Sequence, residues 1–95
     1  MSGQSHAVEL SETAARQREE LSEGDREEVD AALETLEDPG KRRGVVRVRS
    51  RNAPVHPLLY LRTQRFGIFH TVDEDQRVIY VLAIVRRSDL ALRGR

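Results

Sequence analysis

The stretch QRFGIFHTVDEDQRVIYVLAIVRRSD, residues Gln64–Asp89, decides the fold of this chain. It contains two runs rich in aromatic and β-branched residues, Phe66–Val72 and Arg77–Val85, on either side of the acidic turn DEDQ. Such a pattern predicts a β-hairpin. The second run is apolar on both faces, so we expect it in the middle of a sheet, with an arginine pair directly at its end. Two positive charges are therefore expected where a buried strand ends.

Two more strands are predicted before this hairpin. The segment VVRVRSR (Val45–Arg51) alternates apolar and basic residues, and LLYLRT (Leu58–Thr63) follows it after the loop NAPVHP. Side chains alternate between the two faces of a strand. The alternation in the first of these segments therefore places three arginines on one face: Arg47, Arg49 and Arg51.

The N-terminal part of the chain predicts a short strand and two helices. The segment HAVEL (His6–Leu10) is the strand, Ser11 and Ser22 are candidate N-caps, and the sequence DPG ends the second helix. Asp25 has capping-box spacing from Ser22. We therefore predict an α+β fold, in which an N-terminal strand and a helical hairpin pack on an antiparallel sheet.

Length and composition bound the domain organisation. With 95 residues, 38% of them hydrophobic and 34% charged, the chain has room for one domain with a thin core. We assign residues 6–91 to this domain, with a disordered N-terminus over residues 1–5 and a basic tail over residues 92–95. The chain has no Cys, and its three His residues lack the spacing of metal ligands, so we expect neither a metal nor a cofactor.

The sequence also predicts where the protein works. Its start, MSGQSH, is polar and lacks the apolar core of a signal peptide. The longest apolar run, Val78–Val85, is far shorter than the ~20 residues that a membrane-spanning helix needs. We expect a cytoplasmic protein that has no membrane partner.

The charge of the chain is divided between its two halves. Residues 1–38 contain 12 acidic and 3 basic residues, whereas residues 39–95 contain 13 basic and 4 acidic residues. One interpretation is that the C-terminal half binds an anion such as phosphate. The other is that the acidic helices neutralise the basic strands after folding. Charge alone leaves both open.

The order and spacing of these segments resemble a known family. YLRTQRFGIFHTVDED running into VIYVLAIVRRSD, together with ETLEDPGKRRG and the start HAVELSETAARQREEL, is similar to the RelE/ParE superfamily of type II toxin–antitoxin toxins. The resemblance covers roughly residues 6–91. It implies a bacterial toxin whose partner is a cognate antitoxin protein.

The resemblance also implies a site. RelE-type toxins cut mRNA on the ribosome: the 2′-hydroxyl attacks the adjacent phosphate, which requires an acid, a base and fixed cations. Arg87 and Arg62 match arginines of the family, and Arg65 is expected to supply a third catalytic charge from the face of Gly67. We expect RNA contacts from four further arginines: Arg47, Arg49, Arg51 and Arg86.

This sequence departs from the RelE pattern at several positions. Gly67 stands where the family has a catalytic arginine, Leu58 and Tyr60 stand where it has lysines, and Ala91 lies near the position of a tyrosine. His70 is not expected to act as the base, because it shares a strand face with apolar residues and is more typical of a hydrogen-bonded structural histidine.

Three functions therefore remain open from the sequence. The first is a ribosome-dependent mRNA endonuclease that inhibits translation. The second is a ParE-like inhibitor of DNA gyrase, which does not need the RNase residues. The third is a catalytically decayed member of the superfamily, retained to bind a partner or nucleic acid.

Overall fold

The computed structural model describes residues 5–42, 44–48 and 56–93, the last three of them by backbone alone. In these ranges the chain forms three α-helices, one 3₁₀ turn and five strands. Their bounds are β1 Ala7–Leu10, α1 Glu12–Glu19, α2 Glu23–Glu37, the 3₁₀ turn Pro39–Lys41, β2 Val45–Arg47, β3 Leu59–Arg62, β4 Phe66–Asp73, β5 Val78–Arg86 and α3 Arg87–Arg93.

The strands form one sheet in the order β1-β5-β4-β3-β2. All neighbours in it are antiparallel except β1, which pairs in parallel with β5 from Ala7 opposite Val78 to Leu10 opposite Val81. The α+β fold is therefore confirmed, with a sheet that is mixed because the N-terminal strand joins it. The expected position of β5 inside the sheet is also confirmed, since β1 and β4 flank it.

Both helix starts follow the predicted capping. Ser11 Oγ accepts a hydrogen bond of 3.0 Å from the Ala14 N–H, and Ser22 Oγ accepts one of 3.2 Å from the Asp25 N–H. The Asp25 carboxylate instead contacts arginines of the sheet. At the other end of α2, Asp38 Oδ1 accepts from the Gly40 N–H at 2.9 Å as Pro39 opens the 3₁₀ turn.

The core lies between the two N-terminal helices and one face of the sheet. Its fully buried apolar side chains come from α1, α2, β3, β4 and β5: Ala14, Val29, Leu36, Leu61, Phe66, Ile68, Ile79, Val81 and Ile84. Residues paired across neighbouring strands share a face. The opposite, "open" face therefore carries the side chains that lie between these positions in the register: Tyr60, Arg62, Gly67, Phe69, Ala83 and Val85.

A β-bulge interrupts the pairing between β4 and β5. Phe69 pairs with Ala83 but His70 pairs with Val81, so Leu82 has no partner on β4. The Leu82 carbonyl accepts its hydrogen bond from a side chain instead: Ser11 Oγ, at the N-cap of α1, donates to it at 3.0 Å. The extra residue allows Val81 and Ile84, three positions apart, both to face the core.

The chain after β5 differs from the sequence-based expectation. Helix α3 begins directly at Arg87 and runs to Arg93, and the sequence pattern did not indicate it. β2 is shorter than the predicted segment: it ends at Arg47, after which the Val48 N–H donates to the Leu58 carbonyl at 2.8 Å. Arg49 and Arg51 lie outside the described residues. No helix within the described ranges has the length and apolar character needed to span a membrane.

Candidate functional site

Arg87, the first of the predicted catalytic residues, stands where β5 passes into α3. Its backbone N–H donates to the Arg65 carbonyl at 2.9 Å, and its Nη1 donates to the Gln64 and Thr63 carbonyls at 2.7 and 3.3 Å. The guanidinium is thus held against the β3–β4 turn. Nε and Nη2 have no acceptor among the described residues, so these donors remain available to an anion.

Arg65 and Arg86 turn to the opposite side, towards helix α2. Arg65 Nη1 and Arg86 Nη2 contact the two carboxylate oxygens of Asp25 at 3.2 and 3.1 Å, and the Asp25 side chain is only 8% exposed. The Arg86 guanidinium also lies 5.0 Å above the ring of Phe66. Because β4 begins only at Phe66, Arg65 does not share the face of Gly67 as expected. These two charges are balanced within the fold.

Glu28, which the sequence did not single out, fastens the β3–β4 turn to α2. Its Oε2 accepts hydrogen bonds from Thr63 Oγ1 and, at 2.7 Å, from the Arg65 N–H, while Oε1 accepts from Arg65 Nε at 3.2 Å. Burial would raise the pKa of the Glu28 carboxyl, but these hydrogen bonds and the Arg65 charge outweigh it. The pKa of Glu28 is therefore lowered from its ordinary value of 4.5.

The Glu28→Gln substitution should change how stability depends on pH. A carboxyl whose pKa is lower in the folded state stabilises the protein above its unfolded pKa, near 4.5, and this contribution is lost as pH falls through the folded value. We expect the free energy of unfolding of wild type to exceed that of Glu28→Gln at pH 7, with the difference shrinking towards pH 3. Urea unfolding at several pH values measures it. Thr63→Val removes one hydrogen-bond donor to Glu28, so its free energy of unfolding at pH 7 should lie between those of wild type and Glu28→Gln. A difference between wild type and Glu28→Gln that does not change with pH would contradict this account of Glu28.

Three of the predicted site arginines line one cleft. A depression of about 420 Å³, called here the Arg cleft, is lined by Gln64, Arg65, Arg86, Arg87 and Ser88. Half of the Arg86 side chain and 56% of the Arg65 side chain remain exposed there, despite their contacts with α2. The cleft therefore presents three guanidinium groups, one of them held by backbone carbonyls and two by carboxylates.

The remaining predicted cations lie apart from the Arg cleft. Arg62 is exposed on the open face, opposite Gly67 on the neighbouring strand. Arg47 pairs with Leu59, which places it on the helix-side face of edge strand β2, whereas Val46 faces the open side with Tyr60. Arg47 and Arg62 therefore lie on opposite faces of the sheet. The other two members of the predicted RNA-binding row, Arg49 and Arg51, lie outside the described residues.

Comparison with known proteins identifies the architecture. No protein-family profile and no curated protein sequence matches the chain. Among solved structures, the isolated E. coli RelE toxin matches with a TM-score of 0.58 at 20% identity, covering 95% of this chain and 99% of that one. A chain of the archaeal RelE–RelB complex from Pyrococcus horikoshii OT3 matches with a TM-score of 0.72 at 15% identity, covering 87% and 96%.

This chain has the RelE toxin fold. The toxin–antitoxin complex RelBE2 from Mycobacterium tuberculosis gives the same result, with a TM-score of 0.65 at 16% identity over 86% of this chain and 98% of that one. These matches span nearly the whole of each chain, so the similarity extends over the complete domain.

One local feature of this RelE fold was missed by sequence reasoning: Tyr60 covers Gly67. A Cβ added at Gly67 would lie 2.6 Å from Cζ and 2.5 Å from the hydroxyl oxygen of Tyr60. The Tyr60 ring also packs on Phe69, with 4.9 Å between ring centroids. The Tyr60 ring therefore fills the space above Gly67. Both residues were among the expected departures from the RelE pattern, which is the signal that could have pointed to this contact.

The Gly67→Ala substitution should displace the Tyr60 ring and destabilise the fold. Forcing an extra methyl group into such a contact typically costs about 1–3 kcal/mol. The same substitution in a Tyr60→Ala background should be neutral or stabilising, because only the reduced freedom of the unfolded chain remains. Urea unfolding of the four proteins measures the coupling. Equal losses in both backgrounds would show that the ring does not set the requirement for glycine.

His70 is a structural residue in this RelE fold, as its position on the strand indicated. It is 1% exposed, more deeply buried than expected, and its Nδ1 lies 3.1 Å from the Ile68 carbonyl. Burial lowers the pKa of His70, and the nearby Arg42 charge adds to this, against the smaller opposing effect of the Ile68 bond. Within the described residues, no three His, Asp or Glu side chains are grouped so that they could hold a metal ion.

Proposed function

We propose that this protein is the toxin of a type II toxin–antitoxin system and that it acts as a RelE-like endonuclease on ribosome-bound mRNA in the cytoplasm. The observation that carries the proposal is the Arg cleft at the end of the last strand of a RelE fold. The cleft holds three guanidinium groups, and guanidinium is the side-chain group that best matches the charge and geometry of a phosphate. The proposed partners are a cognate antitoxin and mRNA.

The chemistry assigned to the cleft is electrostatic. As the 2′-hydroxyl oxygen attacks the adjacent phosphorus and gives up its proton to water, negative charge grows on the non-bridging oxygens. The bond from phosphorus to the 5′-oxygen then breaks, that oxygen takes up a proton from water, and a 2′,3′-cyclic phosphate remains. Arg87 is the cation best suited to this role, because backbone carbonyls hold it and no carboxylate competes for it among the described residues. Arg65 and Arg86 are shared with Asp25, so their contribution to phosphate binding is smaller.

The partner assignment rests on what the similar structures are. The P. horikoshii RelE–RelB structure and the M. tuberculosis RelBE2 structure are complexes of a toxin with an antitoxin. A protein of this shape with a thin core and exposed apolar side chains such as Val46, which is 53% exposed, is suited to such a partner.

A ParE-like inhibitor of DNA gyrase is the second candidate. The observation that favours it is the state of the cations: Gly67 carries no side chain, and Arg65 and Arg86 are paired with the carboxylates of Asp25 and Glu28. A gyrase inhibitor does not require a phosphate site. A catalytically decayed binding module is consistent with the same observation.

Expression of the chain in bacteria, alone and with the product of the neighbouring gene, should separate the three. A RelE-like endonuclease is expected to stop growth and amino-acid incorporation within minutes while thymidine incorporation continues, and co-expression should restore growth. Early loss of thymidine incorporation would instead indicate the gyrase inhibitor. Full growth in both arms, with the protein present and folded, would favour the decayed module. A tagged copy that fails to co-purify with the neighbour would contradict the partner assignment.

A further inference from the structure

A second cavity lies on the open face of the sheet, under helix α3. It has a volume of about 590 Å³ and is lined by Phe69 of β4, Ala83 and Val85 of β5, and Asp89 and Leu90 of α3. This volume falls within the range of ~300–1,000 Å³ typical of small-ligand sites. We call it the Phe69 cavity.

The register of the sheet explains why there is space beside Phe69. Its cross-strand partner on β5 is Ala83. Because Ala83 is small, it leaves space on the β5 side of the ring. On the other side the Tyr60 ring packs against Phe69 at 4.9 Å and restricts its movement. The partly buried Phe69 ring is therefore fixed at one side of a cavity that Ala83 and Val85 line with apolar side chains.

We propose that the Phe69 cavity is a nucleobase subsite for single-stranded RNA, which selects a base with an exocyclic amino group over uracil. This inference rests on the proposed function. Single-stranded RNA is read by proteins that stack unpaired bases on aromatic side chains and contact their edges with polar groups. Phe69 supplies the stacking surface, and the exposed Asp89 carboxylate at the rim supplies an acceptor for amino N–H groups.

The position of the cavity beside the Arg cleft supports an RNA ligand. Arg87 lines the Arg cleft, and Asp89 and Leu90, two and three residues later on the same helix, line the Phe69 cavity. A nucleotide whose phosphate contacts Arg87 would thus have its base within reach of Phe69. Exposed Arg62 on the same open face adds a cation next to the path of the chain.

The selectivity follows from the donors and acceptors of the bases. Adenine and cytosine each present an amino group that can donate to a carboxylate. In uracil, carbonyl oxygens flank the ring N–H on both sides and would meet the negative Asp89 carboxylate unfavourably. A neutral side chain of the same size at this position should remove the discrimination without removing the stacking.

NMR titration with short 2′-O-methyl oligoribonucleotides at low salt tests the proposal. These oligomers cannot be cleaved, because the attacking hydroxyl is blocked, so binding is measured apart from activity. The chain has two Phe, two Tyr and no Trp, which leaves the aromatic region of the spectrum simple to assign. Oligo(A) should shift the Phe69 ring signals upfield, while the methyl signals of Ile79, which is fully buried and lines neither cavity, serve as the internal control and should not move.

Matched variants assign the effect to the cavity. Phe69→Leu should weaken oligo(A) binding about 10- to 100-fold, as expected for the loss of a stacked base. Asp89→Asn should retain oligo(A) binding within a few-fold but lower the preference for oligo(A) over oligo(U) by about 10-fold. Val46→Ala, on the same face at the far edge strand, should bind as wild type does.

Two results would overturn the inference. One is an oligo(A) titration in which Phe69 does not shift, or shifts equally with oligo(U). The other is normal RNA binding by Phe69→Leu together with loss of its co-purification with the neighbouring gene product, which would assign the cavity to a protein segment. Toxicity of the wild-type chain is measured separately, so a failure of the proposed function and a failure of the subsite give different results.

Discussion

Replacing Arg87 with alanine should lower RNA cleavage on translating ribosomes about 10²–10³-fold, the usual effect of removing one donor that stabilises charge in a transition state. The reason is that Nε and Nη2 of Arg87 are directed by the turn that holds Nη1, so the guanidinium is placed before the phosphate arrives. Lysine cannot hold the turn and meet two phosphate oxygens at once, so Arg87→Lys should recover only a small part of the rate. Cleavage sites on mRNA, mapped by primer extension, measure the effect.

Folding must be separated from activity in this experiment, because Arg87 also donates to the carbonyls of Thr63 and Gln64. Arg87→Ala should therefore lose stability of about 1–2 kcal/mol, measured by urea unfolding. Arg16→Ala is the control variant, because Arg16 is exposed on α1 and lines neither the Arg cleft nor the Phe69 cavity. A folded Arg87→Ala protein that is as toxic as wild type at equal expression would reject Arg87 as a catalytic residue and favour the gyrase inhibitor.

The second large effect concerns the thin core. Leu36→Ala should reduce the free energy of unfolding by about 2–5 kcal/mol, since this α2 side chain is fully buried and its truncation leaves a cavity. That is a large fraction of the ~5–15 kcal/mol that stabilises a typical domain. The expected result is a protein that is partly unfolded at 37 °C.

The same chemical change at an exposed position provides the control for Leu36. Leu82, at the β-bulge, is 41% exposed, and Leu82→Ala should cost less than about 1 kcal/mol. Urea unfolding at 25 °C compares the two variants directly. Equal losses would mean that Leu82 is covered in solution, for example by a second copy of the chain.

Local patterns in the sequence predicted much of the fold, because the interactions behind them join residues that are close together in the chain. The side-chain oxygens of Ser11 and Ser22 satisfy N–H groups three residues away, so a helix start can be recognised from a short segment. The apolar run of β5 is typical of a strand with neighbours on both sides. Its position inside the sheet, between β1 and β4, was therefore predictable from composition.

The site was less predictable, because its geometry depends on residues far apart in the chain. Arg86 and Asp25 are 61 residues apart, and their ion pair exists only because α2 packs across the end of β5. The charge asymmetry of the sequence was compatible with either phosphate binding or internal neutralisation. The tertiary structure assigns Arg65 and Arg86 to the second arrangement and leaves Arg87 free of carboxylate partners among the described residues.

By itself, then, the sequence determined the class of the fold, the two helix caps, the place of the last strand inside the sheet and the presence of arginines at its end. Only the tertiary structure decided which face each arginine takes, that Tyr60 covers Gly67, and that α3 closes a cavity beside Phe69. The physical reason is that the face of the sheet on which a side chain lies depends on where its strand begins and on which residues the strand pairs with. Side chains alternate between faces only within a strand. Since β4 begins at Phe66, Arg65 lies in the preceding turn, and its side chain can reach Asp25 and Glu28 of α2.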